Sequence, residues 1–209
     1  MTFSRPRIIV AFLLAVALGF GLWCLYGYLA IAGIESPAYI VAVEYDDYEI
    51  REYGPTIVAT TTVDGNLDGA TVAGFKKVAG YIFGENTLGQ NIAMTAPVTT
   101  EQAHSGTDGG SAYAISFVLP SEYGMEDLPL PSDAMVRVES VPARTLAVYS
   151  FSGVVDELDV AGKMADFESE LEKAGYTVSG ELTLAQYNPP YTPWFMRHNE
   201  IWAELLLTR

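Results

Sequence analysis

The chain repeats itself. At a separation of 88 residues Ala59, Val63 and Gly65 are answered by Ala147, Phe151 and Gly153. At a separation of 92, Phe75 is answered by Phe167, and Ile92-Ala93 with Pro97 by Leu184-Ala185 with Pro189. The matches keep one order along the chain, and self-similarity at a fixed period marks a supersecondary unit used twice. Residues 45–52 and the β-branched run 56–63 read as strands around the turn Gly54-Pro55. Val72, Phe75, Val78, Ala79, Ile82 and Phe83 recur at helical spacing between Asp68 and Gly84, weakened by Gly74 and Gly80. Strand-like runs follow at 92–99 and 113–119, around a Gly- and Ser-containing loop at 104–111.

The second unit repeats the order. Residues 135–141 and 145–151 read as strands around Pro142-Ala143. A helix opens at Asp156, carries Ala161, Met164, Phe167 and Leu171 on one face, and closes at Lys173 and Gly175. Residues 176–187 alternate, and 201–207 form an apolar strand. Two β-β-α-β-β halves predict an α+β fold: antiparallel sheet backed by two helices, with a cleft between the halves able to take a ligand.

Ahead of the repeat, residues 8–32 contain no charge. These 25 residues, as a helix rising about 1.5 Å each, exceed a hydrocarbon core of about 30 Å. Arg5 and Arg7 precede the run and Glu35 follows it, so the positive-inside bias places the N-terminus in the cytoplasm and the remainder outside. The expected division is a cytoplasmic N-terminus and anchor at 1–33, a linker at 34–42 around Ser36-Pro37, and a domain at 43–209. The alternative is a cleaved signal peptide, for which Ala30-Ile31-Ala32 has the small-x-small pattern; the apolar run is long for a signal core of about 7–15 residues.

The whole chain carries 11 Lys+Arg against 26 Asp+Glu, a formal charge of -15. Past residue 32 there remain 9 basic and all 26 acidic residues, or -17. Such a balance argues against nucleic acid, whose phosphates need clustered Lys and Arg. It fits either a surface adapted to high salt, which screens self-repulsion, or an ordinary acidic exported protein. Cys24 is the single cysteine and lies in the apolar run, which excludes zinc-thiolate, iron–sulfur and thioether-linked haem sites in the domain.

Catalytic patterns are scarce. The two histidines, His104 and His198, have no triad or metal spacing around them, and neither a Gly-x-Ser-x-Gly elbow nor a phosphate loop occurs.

The segment from Tyr187 to Trp202, Tyr-Asn-Pro-Pro-Tyr-Thr-Pro-Trp-Phe-Met-Arg-His-Asn-Glu-Ile-Trp, is the most unusual in the chain. Three prolines hold Tyr191, Trp194, Phe195 and Met196 on a loop that cannot join a ladder. Those side chains either cap the core or form a wall of a flat apolar pocket with Arg197 and His198 at its rim. The first helix would be the opposite wall. Its Lys76-Lys77 pair, on so acidic a chain, is either a solvated face or a place for a ligand carboxylate.

Asn91-Ile-Ala-Met-Thr-Ala-Pro-Val98, Phe117-Val-Leu-Pro120, Tyr48-Glu-Ile-Arg-Glu-Tyr53 and the Asn-Pro-Pro…Arg-His-Asn-Glu block resemble the signature segments of the SOUL haem-binding protein family, over roughly residues 43–207. The resemblance implies a distorted antiparallel β-barrel of duplicated halves flanked by two helices, and non-covalent binding of haem or another tetrapyrrole in a shallow apolar groove beside the first helix. Carried over, Val78, Ile82, Phe83 and Met94 would contribute one apolar side, and Trp194, Phe195 and Met196 the other. Lys76, Lys77 and Arg197 would meet the propionates. Some members are thought to use a histidine near the first helix; this chain has none before His104. His198 is then either a surface residue or a substitute iron ligand, with Met94 and Tyr81 as other candidates. The expected protein is a single-pass cell-membrane binder or carrier with its domain outside the cytoplasm. The alternatives are a lipid- or partner-binding module, or a small-molecule-binding domain like that of the related regulator-type fold. That last resemblance leaves open a hydrolase activity, by acid–base action of Glu200 with Tyr187 or Tyr113, Glu200 reading equally as a buried polar anchor.

Overall fold

The computed structural model describes residues 5–103 and 110–206. His104 and the larger part of the expected 104–111 loop lie outside them. The chain opens with helix α1 (Arg5–Leu29). Strands β1 (Tyr39–Glu44), β2 (Tyr48–Tyr53) and β3 (Thr56–Asp64), helix α2 (Leu67–Ile82), and strands β4 (Val98–Ala103) and β5 (Ala112–Val118) follow. The second half holds β6 (Arg137–Val141), β7 (Arg144–Ser152), α3 (Glu157–Lys173), β8 (Thr183–Gln186) and β9 (His198–Glu204). All nine strands join one antiparallel, curled half-barrel sheet in the order β1-β2-β7-β9-β8-β4-β5-β3-β6.

Leaving β1 aside, that order reads the same from either end when each strand of one half is exchanged for its counterpart in the other. The register agrees. Where β2 meets β7, Ile50 lies opposite Ala147; where β6 meets β3, Val138 lies opposite Ala59. The two alanines that sit 88 residues apart in sequence thus occupy the same place in their halves. β4 and β8 pair at the centre, Thr99 against Ala185, and join the halves into one sheet.

Local chemistry explains the helix ends. The Asn66 side chain accepts the Gly69 N–H and caps α2, and the Asp156 side chain accepts from Leu158 and Asp159 and caps α3. Glu157 and Asp159 in the first turn of α3, and Lys173 in its last, also suit the helix dipole. Gly175, at φ 86°, ends α3 while Tyr176 N–H donates to Leu171 O.

The elements depart from expectation in several places. α2 begins at Leu67, ahead of Asp68, because Asn66 is the cap. β4 begins at Val98, since Pro97 has no N–H to donate and Thr95 bridges instead to Glu35. β8 is limited to four residues: Gly180 turns with φ 75°, and Val178 makes an isolated bridge to Leu205. Residues 39–42, expected within a linker, run into β1 and pair with β2.

Both helices pack on the same face of the sheet. Val78, Tyr81 and Ile82 of α2 meet Ala59, Ile115 and Phe117. Phe167 and Leu171 of α3 meet Tyr48, Ile50, Ala147, Ile201 and Ala203. Each such apolar side chain removed from water contributes about 1.5–3 kcal/mol. Gly74 permits the closest approach, for a Cβ there would lie 2.7 Å from Ile115 Cδ1. The opposite face carries its own cluster of Tyr53, Leu146, Val148, Ala185 and Trp202. Ile9–Leu29 of α1 is long and apolar enough to cross a membrane, and its large apolar side chains are exposed although its last part, from Phe20 to Gly27, touches the Pro-rich segment.

Candidate functional site

Side chains alternate between faces along a strand, so register decides which candidate residues can meet. In β9, Ile201 and Ala203 point toward the helices, which turns His198, Glu200 and Trp202 to the other face. His198 and α2 are therefore on opposite sides of the sheet. The structure does not bring together the first helix and the histidine at the rim of the Pro-rich segment.

The face away from the helices holds a polar hub. Glu200 is 2 % exposed. Its Oε1 accepts from Arg51 Nη1 at 2.9 Å, from His198 Nε2 at 3.0 Å and from Ser150 Oγ at 3.5 Å. Its Oε2 accepts from Tyr187 Oη at 2.6 Å and Trp202 Nε1 at 2.7 Å. Burial alone would raise the Glu200 pKa. Hydrogen bonds from His198, Tyr187 and Trp202, with the Arg51 charge, outweigh it and hold the carboxyl at about 2. Burial likewise works against the Arg51 charge, and the contacts with Tyr53, Glu200 and Glu49 more than offset it. Tyr53 is pushed up to about 12, mainly by burial.

A carboxylate so placed is a poor base, and its acceptor positions are filled. Tyr187 belongs to the hub, but the Tyr113 hydroxyl donates to Glu157 at 3.3 Å instead. What the arrangement does is lock β2, β7, β8 and β9 together. The sequence reading singled out Glu200 but missed Arg51, which lies 149 residues away; its place in the Tyr-Glu-Ile-Arg-Glu-Tyr strand was the available signal.

The helix face offers a different surface. Val72, Phe75, Lys76, Ala79 and Phe83 fall within one stripe of α2 at i, i+3, i+4, i+7 and i+11. Val72 is 57 % exposed, Phe83 60 % and Phe75 36 %. Lys76 is exposed among them, and no described carboxylate pairs with it. Lys77 lies to the side and binds Asp133 at 3.1 Å. Val78 and Ile82 point inward and are fully buried. Met94 is half-buried against the same core, and the Tyr81 hydroxyl donates to Pro129 O at 3.0 Å.

The Pro-rich loop packs elsewhere. Its Trp194–Met196 turn lies on β7. Phe195 stacks on Phe20 of α1 with ring centroids 5.9 Å apart. Arg197 Nε donates to Thr192 O at 2.9 Å, and its Nη2 donates to Pro190 O, so the guanidinium is occupied with its own loop. A cavity of about 430 Å³ lies between residues 35–38 and the ends of β3, β5 and β6, with Ile57, Leu119 and Tyr123 in its wall. Its one charged lining group is Glu35, which accepts the Ser121 N–H at 2.9 Å. An anion gains nothing there.

Residues 34–204 match the family model described as SOUL heme-binding protein. The chain belongs to that family. Among its relatives, "Heme-binding protein 2" of Homo sapiens is 34% identical over 158 residues, covering 74% of this chain and 76% of the relative. "Heme-binding protein 1" of Sus scrofa is 28% identical over 152 residues, covering 71% and 78%. Among solved structures, the EcmrR C-terminal domain superposes with a TM-score of 0.55 at 12% identity, covering 81% of this chain and 99% of that one, a likeness of fold. The SOUL match begins ahead of β1, so the family's domain takes in the strand that pairs with Tyr48–Tyr53.

Proposed function

We propose that this SOUL-family protein binds haem, or another tetrapyrrole with carboxylate arms, non-covalently on the outer face of α2. We further propose that α1 anchors it in the cell membrane with the domain outside the cytoplasm. The observation that carries the reading is the stripe of Val72, Phe75 and Phe83 with the unpaired cation of Lys76 beside it. A tetrapyrrole supplies two flat apolar faces and carboxylates at one edge, and the stripe matches both. Family membership, and the names of the relatives, support that ligand class.

Binding rests on apolar contact and one cation. His198 faces the other side of the sheet, Tyr81 is buried and engaged, and Lys77 and Arg197 already have partners. Val78 and Ile82 hold the helix that presents the ligand surface. Cys24 lies within α1, which leaves the domain without a thiol for thioether attachment. Arg5 and Arg7 before the apolar span support a cytoplasmic N-terminus.

Titration of hemin into the full-length chain in nanodiscs, against empty nanodiscs, should give a saturable shift of the Soret band. Absence of a saturable shift in both low and multimolar salt would overturn the reading.

A further inference from the structure

The Pro-rich loop is usually the kind of segment that folds over a core, yet here its large side chains do not. Tyr191 is 48 % exposed, Trp194 60 % and Phe195 43 %. What the loop does touch is α1. Trp23 Nε1 donates to Tyr191 O at 2.8 Å, the Tyr26 and Tyr191 rings lie 5.2 Å apart, and Phe195 stacks on Phe20. Gly27 makes the notch that admits the loop, since a Cβ there would lie 2.8 Å from Pro193 Cδ.

The carbonyls of the loop are also satisfied. Every carbonyl from Pro189 to Trp194 accepts a hydrogen bond. Pro189 O takes the Thr192 N–H, Pro190 O and Thr192 O take Arg197, Tyr191 O takes Trp23, Pro193 O takes the Met196 N–H, and Trp194 O takes the Arg197 N–H. Pro189, Pro190 and Pro193 have no N–H to lose. Paired carbonyls suit a segment at the edge of a low-dielectric phase, where the N–H groups of Tyr191, Trp194 and Phe195, which have no described acceptor, still reach lipid headgroups or water. The loop carries no carboxylate from 187 to 197, on a chain with 26 of them. Its one cation is turned onto its own carbonyls.

We propose that residues 189–196 form a second membrane contact, immersed in the outer-leaflet interface beside α1, with Tyr191, Trp194 and Phe195 among the lipid headgroups and upper acyl chains. The inference rests on α1 crossing the membrane. Trp23 and Phe20 lie six and nine residues before Leu29, so the contacts fall roughly 9 and 13 Å below the end of α1 at about 1.5 Å per residue. Inserted amphipathic segments bury their apolar face by about 5–10 Å, which the Trp23 contact matches and the Phe20 contact slightly exceeds. The domain then rests against the bilayer and does not swing on its tether.

The test uses the full-length chain in phosphatidylcholine vesicles, alongside Trp194→Phe, a change at an exposed site. The difference in tryptophan emission between the two reports Trp194. That component should be lost when the acyl chains carry bromine and kept in the presence of aqueous iodide. A Trp194 component quenched by iodide and untouched by bromine, in a chain that resists alkaline carbonate extraction, overturns the loop contact alone. A chain that carbonate removes overturns the anchor and the loop contact together.

Discussion

Arg51 of β2 and Glu200 of β9 meet at 2.9 Å across the intervening strand β7, and both are shielded from water. A buried pair of this kind adds little over an apolar pair of the same shape, but removal of one partner leaves an uncompensated charge. Glu200→Gln should therefore destabilise the protein by about 3–5 kcal/mol. It should leave hemin affinity of the folded fraction unchanged, because the hub and α2 are on opposite faces. Chemical unfolding with parallel hemin titration checks both; a lost Soret shift in folded Glu200→Gln would mean that the hub belongs to the ligand site.

The same carboxyl sets an acid limit. Its folded pKa of about 2 lies well below the ordinary glutamate value of 4.5. A depressed carboxyl contributes stability that is complete above the unfolded value and is lost as pH falls through the folded one. The melting temperature should be insensitive to Glu200 above about pH 5 and fall between there and pH 2, by an amount equivalent to about 3 kcal/mol. Glu200→Gln should flatten that limb of the curve.

The adjacent lysines should behave differently. Lys76→Glu places a carboxylate where the proposed ligand has one and should weaken hemin binding by about tenfold, near 1.4 kcal/mol. Lys77→Ala removes a half-exposed pair with Asp133, which should cost about 0–1 kcal/mol of stability and little affinity. Equal losses of affinity from the two would place the ligand carboxylate off the α2 stripe.

Gly74→Ala sets helix propensity against packing. Alanine favours an exposed helix interior by about 1 kcal/mol over glycine. Here its methyl would meet three Ile115 carbons at 2.7 to 2.8 Å. Overpacking of that kind costs about 1–3 kcal/mol and should win, so the melting temperature should fall. A rise would show that α2 can lift from β5.

The repeated order of elements was legible because each signal is local: a cap such as Asp156, a helical period such as Val72–Phe75–Val78, a turn such as Gly54-Pro55. The side of α2 left exposed, where a ligand is proposed to sit, was not. Sequence periodicity groups Val72, Phe75, Val78, Ile82 and Phe83 as apolar without saying which of them meets Ile115 and Phe117. Tertiary packing decides that Val78 and Ile82 go in while Val72 and Phe83 stay out. The separation of His198 from α2 was hidden for a related reason. It depends on the parity of β9, and β9 begins at His198, earlier than its apolar part suggests. β1 escaped notice because its exposed side chains show no alternation to read.

The two-fold order of the sheet gives both helices equivalent seats, yet the copies no longer do the same work. Phe167 of α3 lies 3 % exposed under Tyr48, while its counterpart Phe75 of α2 packs one side of its ring on Phe117 and leaves 36 % exposed. One copy has become a fastening, and the other is free to serve as the proposed landing place. A duplicated protein with two intact landing places would take two ligands; this one should saturate at a single equivalent per chain, with its second half serving as the frame.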